Sequence, residues 1–178
     1  MVGGWLFRHR GWLPVPLAAA CLIARPTWNL GALVCVILGE GIRLWAVGYI
    51  GRRSRTRGPQ VGALVDVGPY ARLRNPLYVG NLLLWTGFGL VGWPAVLVVV
   101  PLLILHYHFI VAWEEGQLSA QIGPAYVDYL GRVPRWLPTG TPRSGEWQLG
   151  EALRSERGTF LVLAAMAAAF AARWYVPF

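Results

Sequence analysis

Two short polar segments carry the residues of this chain that are best suited to chemistry. The first contains Asn75 and Tyr78, in the string Arg-Asn-Pro-Leu-Tyr-Val-Gly that ends at Gly80. The second is the acidic pair Glu114-Glu115, which begins 39 residues after Asn75. Carboxylates accept hydrogen bonds from ligand hydroxyls or pair with a ligand cation. Together with the amide and the phenol, they indicate a binding site for a polar ligand.

The sequence between these segments is apolar and has the length of a membrane hairpin. A helix needs about 20 apolar residues to cross the hydrocarbon core, at ~1.5 Å per residue. Two predicted spans, 77–91 and 95–113, fit between the polar segments, with a turn at 92–94. Because a hairpin returns both of its ends to one interface, we expect the two polar segments to lie side by side at one membrane face.

The composition is that of an integral membrane protein. Of the 178 residues, 56% are hydrophobic and only 13% are charged, and the mean hydropathy is +0.46. A soluble domain has about 25% charged residues. The ten Trp and seven Tyr are also numerous, and such rings favour membrane–water interfaces. We therefore predict an all-α, polytopic membrane helix bundle of about five transmembrane helices, the others being 12–23, 30–50 and 159–178.

The arginines predict the topology. All basic residues apart from histidine are arginine, and with the N-terminus inside, the outer face receives only Arg25 and Arg173. By the positive-inside rule, the N-terminus is cytosolic and the C-terminus lies outside the inner membrane of a bacterium. We assign the net charge of +8 to topology and lipid headgroups, not to nucleic acid. The inner face receives Arg8, Arg10, Arg52, Arg53, Arg55, Arg57, Arg72, Arg74, Arg132, Arg135, Arg143, Arg154 and Arg157.

Several local patterns predict the remaining elements. Apolar residues at helical spacing predict a helix over 116–130, residues 139–145 read as a flexible link, and 146–157 as a short interfacial helix. Asn75 is a suitable helix cap before Pro76. Seven alanines within 164–172 predict close packing of the last helix.

One charged pair lies inside a predicted span. Glu40 and Arg43 are three residues apart in 30–50 and are expected to neutralise each other within the bundle. A charge buried in the membrane is equally a candidate for function. A metal site is not expected, because the sequence has no clustered His and Cys ligands.

The polar segments also resemble a known superfamily. The strings GPYARLRNPLYVG, EEGQL and IGPAYVDYLGRVPRWLP occur in the order and spacing of the membrane methyltransferases that include isoprenylcysteine carboxyl methyltransferases and phospholipid N-methyltransferases. The match covers 62–138, about two fifths of the chain. Asn75 stands where the carboxyl branch has histidine, whereas the phospholipid branch tolerates N-P-x-Y-x-G. The chain is thus divided into N-terminal helices and a basic loop (1–61), a methyltransferase core (62–138), a linker with an interfacial helix (139–158) and a C-terminal helix (159–178).

The resemblance implies an S-adenosylmethionine-dependent methyltransferase with a cytosol-facing cofactor pocket and a lipid-like acceptor. It favours carboxyl O-methylation, with amine N-methylation of a phospholipid or thiol S-methylation as alternatives. A non-catalytic assembly or transport subunit with the same fold is the alternative of another class. The residues implied in the reaction are Asn75, Tyr78 and Arg132. Those implied at the cofactor are Pro76, Tyr78, Gly80, Glu114, Glu115, Tyr126 and Arg135. His108 is a further candidate there, because a polar residue inside a predicted span is a functional candidate.

Overall fold

The computed structural model describes residues 2–12, 14–50 and 64–175, and within these ranges the only regular elements are helices. The chain is an all-α membrane helix bundle, as predicted. Arg52, Arg53, Arg55 and Arg57 and the predicted boundary at 61/62 lie outside the described residues. The helices are α1 (Val2–His9), α2 (Pro14–Ile23), α3 (Leu30–Ile50), α4 (Pro69–Arg72), α5 (Pro76–Val91), α6 (Val96–Ile122), α7 (Pro124–Arg132) and α8 (Leu149–Tyr175).

Among the described helices, α3, α6 and α8 are long and apolar enough to cross a membrane. The helices α2 and α5 are apolar but shorter, with 10 and 16 residues. The prediction for 30–50 is confirmed, and α5 and α6 form the predicted hairpin across a turn at Gly92.

Hydrogen bonds between distant segments show which helix ends lie at the same end of the bundle. At one end, the Thr27 amide donates to the Val91 carbonyl at 2.9 Å, and Arg173 donates to the carbonyls of Leu22 and Ile23. At the other end, the Gln148 amide donates to the Gly48 carbonyl at 3.0 Å. The apolar helices therefore alternate in direction, and the ends of the α5–α6 hairpin that carry polar residues lie at the second end.

The helix predicted over 116–130 is divided in two. The helix α6 continues without interruption past Glu115 to Ile122, and α7 begins at Pro124. Gly123 lies between them with φ +73°, a conformation that favours glycine. The Gly-Pro pair thus ends one helix and starts the next, which periodicity alone does not reveal.

Two predicted C-terminal elements are instead one. The interfacial helix at 146–157 and the span from 159 merge into α8, because Glu156 is fully buried inside the bundle and not at a membrane surface. The alanine-rich part is largely exposed, and α8 packs through Ala152, Ser155, Glu156 and Met166. The predicted packing of the last helix against the bundle is confirmed by its contacts with α2 and α3, but most of the alanines lie outside those contacts.

The most extensive contact between described helices lies between α3 and α5. A Cβ added at Gly39 would stand 2.8 Å from the Gly80 carbonyl oxygen and 2.9 Å from the Leu84 amide nitrogen. Both neighbours are backbone atoms, so neither moves easily. We expect Gly39→Ala to lower the free energy of unfolding by about 1–3 kcal/mol, measured in detergent micelles.

Gly41, on the same helix, provides the matched control. A Cβ there meets no atom of the described residues within 4 Å. Gly41→Ala should raise stability by about 0.5–1 kcal/mol, because glycine weakens a helix interior. Equal effects of the two substitutions would contradict this packing.

Candidate functional site

The α5–α6 hairpin brings the two polar segments into contact. The Tyr78 hydroxyl, in the first turn of α5, donates to Oε2 of Glu114 near the end of α6 at 2.8 Å. Arg10 approaches the same carboxylate from the N-terminal segment, with Nη1 3.8 Å from Oε1. The Glu114 side chain remains 27% exposed, so this carboxylate has lone pairs accessible to a ligand.

The neighbouring carboxylate is held differently. Glu115 is buried, and Arg135 donates to its two oxygens through Nε and Nη2 at 2.5–3.2 Å. Nε of Arg74 lies 3.4 Å from Oε1. Two guanidinium groups thus surround Glu115, which joins the segment before α5 to the segment after α7.

Asn75 reinforces that connection. It occupies the predicted N-cap position before Pro76, the first residue of α5, but within the described residues its side chain makes no capping hydrogen bond. Its amide instead donates to the Arg135 carbonyl at 3.2 Å, and the Arg74 amide donates to the Pro134 carbonyl at 2.9 Å. The sequence predicted that this side chain would bond to the first turn of its own helix. In the structure it joins the segment before α5 to the segment after α7.

The helix α7 covers the site with two buried tyrosines. Tyr126 and Tyr129 pack with Val133 against Leu118 and Ile122 of α6. Burial raises the pKa of both phenols, and the Glu115 charge raises the pKa of Tyr126 further. Both hydroxyls therefore stay protonated and act as hydrogen-bond donors at physiological pH.

The structure brings most of the predicted site residues together, but places three elsewhere. Gly80 faces α3, where it permits the close helix contact. His108 lies on the exposed face of α6, with its ring against Phe109. Arg132 is about half exposed and donates to Asp66 at 3.2 Å.

The sequence did not predict Arg10 and Arg74 as members of this site. Both were interpreted only as arginines that set the membrane topology. Arg74 adjoins Asn75, so its position in the motif was an available signal. Arg10 is more than 100 residues from Glu114, and no local pattern connects them.

A second polar cluster lies deeper in the bundle. Nη2 of Arg43 donates to both oxygens of Glu156 at 2.7 and 2.9 Å and to Thr159 at 3.0 Å, while Nη1 donates to Asn81. Glu40 stands 3.8 Å from Arg43, so the predicted pair is present, but α8 supplies the closer carboxylate.

Contacts between neighbouring side chains connect the two clusters. The ring of Tyr78 lies 4.9 Å from that of Tyr107, centroid to centroid, and the Tyr107 hydroxyl interacts with Asn81. Among residues 2–12, 14–50 and 64–175, no group of three or more His, Cys, Asp or Glu side chains is placed to hold a metal ion.

Two curated proteins are similar to the chain. The nickel-cobalt-cadmium resistance protein NccN of Alcaligenes xylosoxydans xylosoxydans is 34% identical over 119 residues, which are 63% of this chain and 53% of that protein. The cobalt-zinc-cadmium resistance protein CzcN of Cupriavidus metallidurans is 35% identical over 106 residues, 58% of this chain and 46% of that protein. The chain therefore spans about half the length of these relatives. No solved structure matches it significantly.

The family comparison covers the site more directly. The profile of the phospholipid methyltransferase family matches residues 28–123, more than half of the chain. That range contains the α5–α6 hairpin with Asn75, Tyr78, Glu114 and Glu115. The chain therefore belongs to the phospholipid methyltransferase family, within the membrane methyltransferases related to isoprenylcysteine carboxyl methyltransferase.

Proposed function

We propose that this protein is an S-adenosylmethionine-dependent methyltransferase of the bacterial inner membrane, acting on an amphiphilic acceptor from the bilayer. The observation that carries the proposal is the contact between Tyr78 and Glu114 at the polar end of the hairpin. It places the ligand-accessible Glu114 carboxylate beside Arg10, next to the buried Glu115 that pairs with Arg74 and Arg135, in a chain of a methyltransferase family. The arginine-rich end would face the cytosol, from which the cofactor comes.

The residues of the site fit the chemistry of this cofactor. Its ribose hydroxyls and ammonium group are hydrogen-bond donors, and Glu114 would accept hydrogen bonds from them. Its carboxylate requires a cation, and Arg74 has an Nε–H group that makes no hydrogen bond within the described residues. Arg135 stands beside it, held by Glu115. When bound, S-adenosylmethionine supplies a methyl group on a positively charged sulfur, and this methyl is open to direct displacement by the acceptor.

Such a transfer needs no protein nucleophile, so the chain contributes positioning and exclusion of water. Tyr78 fixes one oxygen of Glu114, and its ring packs with Leu82 and Tyr107 at the apolar core. The polar groups therefore adjoin a region closed to water, where an acceptor from the bilayer can lose its hydration shell.

The acceptor class is proposed from the motif order. A carboxylate comes first, because the segment RVPRWLP follows the pattern of the carboxyl branch, and a phospholipid amine or a thiol comes second. Incubation of the protein with bacterial lipid extract and methyl-labelled cofactor separates these classes. Label released by mild base indicates an ester, whereas label retained on a headgroup indicates an amine.

The competing function is a non-catalytic role in a metal-resistance system, which the names of the two relatives suggest. Cofactor binding separates the two functions. Calorimetry on the purified, folded protein should detect S-adenosylmethionine binding. A lack of binding at millimolar cofactor would exclude the enzyme and favour the non-catalytic role.

Glu114→Gln tests the proposed ligand directly. The substitution keeps the shape of the side chain but removes its charge, so hydrogen bonds from the cofactor are weakened. We expect a Kd about 10- to 100-fold higher, equivalent to about 1.5–3 kcal/mol, with little change in melting temperature. Asp128→Asn, at an exposed carboxylate on α7, is the control and should leave the Kd unchanged.

A further inference from the structure

Tyr70 is a buried side chain with no role in the proposed methyl transfer. It follows Gly68-Pro69 in the short helix α4, and Gly68 has φ +59° with the Tyr49 ring against it. The Tyr70 carbonyl accepts a hydrogen bond from the Tyr129 hydroxyl at 2.8 Å. The backbone around Tyr70 is therefore held by these contacts.

The hydroxyl of this tyrosine is buried and has no hydrogen-bond partner among residues 2–12, 14–50 and 64–175. Tyr70 is 7% exposed, and within the described residues its hydroxyl makes no hydrogen bond. Buried hydroxyls nearly always have a partner, so an exception indicates a group that is not part of these residues.

The surroundings of the hydroxyl indicate which group this is. The short helix α4, which carries Tyr70, packs against α3, and the charges of Arg43, Glu114 and Glu156 are near enough to act on the hydroxyl. Arg43 and Glu156 belong to α3 and α8, which are membrane-spanning helices. The hydroxyl is thus close to charged groups of two helices that could span the membrane, which an amphiphilic acceptor from the bilayer would also contact. Burial raises its pKa, so it is a donor at physiological pH.

We propose that the Tyr70 hydroxyl donates a hydrogen bond to an oxygen in the polar group of the methyl acceptor, which makes it a residue that determines acceptor affinity. This inference rests on the proposed function for the identity of the ligand as an acceptor. The oxygen belongs to a carboxylate or to a phosphate ester of the amphiphile, and the base-lability of the transferred label distinguishes the two.

The test compares Tyr70→Phe with Tyr129→Phe. Both remove one buried hydroxyl, but within the part of the chain that the structure describes only the Tyr129 hydroxyl makes a hydrogen bond. Without lipid, Tyr129→Phe should lower the melting temperature, whereas Tyr70→Phe should leave it unchanged or raise it. A polar lipid extract of bacterial membranes should raise the melting temperature of the wild type, and this shift should be smaller for Tyr70→Phe. With methyl-labelled cofactor, Tyr70→Phe should raise the acceptor KM about tenfold and leave the cofactor Kd within about twofold.

Three results would overturn the inference. The first is that Tyr70→Phe destabilises the lipid-free protein as much as Tyr129→Phe does, which would place the hydroxyl's partner within the chain. The second is that the lipid extract stabilises the wild type and Tyr70→Phe equally, and the third is that it stabilises neither. If lipid acts on the wild type through Tyr70 but no methyl group is transferred, the proposed function fails and the Tyr70 contact stands.

Discussion

Replacing Glu115 by alanine is expected to lower the free energy of unfolding by about 3 kcal/mol and to weaken S-adenosylmethionine binding at least about tenfold. The substitution leaves Arg74 and Arg135 facing each other without the carboxylate between them. Removing one partner of a buried ion pair costs about 3–5 kcal/mol. Arg135 is about one third exposed, so water offsets part of its loss and we place the effect at the lower end.

Loss of cofactor binding follows from the same geometry. Glu115 aligns the two arginines that would bind the cofactor carboxylate, and it joins the segment before α5 to the one after α7. Glu114→Gln should therefore weaken binding in a stable protein, whereas Glu115→Ala should reduce both quantities. Chemical unfolding in detergent and calorimetry on the same preparation measure them separately.

The control for Glu115 is an ion pair at the surface. Glu151 pairs with Arg154 at 3.3 Å, and the arginine side chain is 60% exposed. Pairs of this kind contribute about 0–1 kcal/mol. If Glu115→Ala lost no more stability than Glu151→Ala, the two arginines would not depend on Glu115.

The sequence predicted the hairpin and the meeting of its ends because both follow from length and periodicity. The helix 30–50 and the contact between Tyr78 and Glu114 depend only on apolar spans of sufficient length and on the return of a hairpin to one face. The motif order then named the superfamily, which the family comparison confirmed.

The sequence did not predict the contacts that hold the site together. Asn75 has the sequence environment of a cap, yet its amide binds a carbonyl 60 residues away. Arg10 could not be assigned to Glu114, since the contact depends on how α1 packs against α6. Such pairings arise from tertiary packing, which leaves no periodic trace in the sequence.

The helix α8 is a clearer case of a structure that depends on tertiary packing and that the sequence pattern does not reveal. Residues 146–157 are polar enough to suggest an interfacial helix, because Glu156 looks exposed until its partner is known. Arg43 is 113 residues away, and it is this ion pair that allows the polar segment to continue into the membrane as one helix.

Arg43→Met is accordingly expected to lower the free energy of unfolding by about 3–5 kcal/mol. Glu156 is fully buried, and the substitution removes the guanidinium that donates to both of its oxygens. Asn81 on α5 and Thr159 on α8 lose the same partner, so the contacts of α3 with both helices are weakened. Unfolding in detergent with tryptophan fluorescence measures the loss.

The double variant Arg43→Met/Glu156→Met shows whether the lost charge pairing is the cause. Apolar residues of similar volume often replace a buried ion pair at no cost, so the double variant should be more stable than Arg43→Met alone. Arg154→Met, in the exposed pair on the same helix α8, should cost no more than about 1 kcal/mol. A double variant as unstable as the single one would mean that the arginine contributes through its packing, since the charge left on Glu156 would then carry no cost. If the double variant regains stability, the pairing of Arg43 with Glu156 is what attaches α8 to the family core. The helix α8 itself lies beyond the residues that the family profile matches.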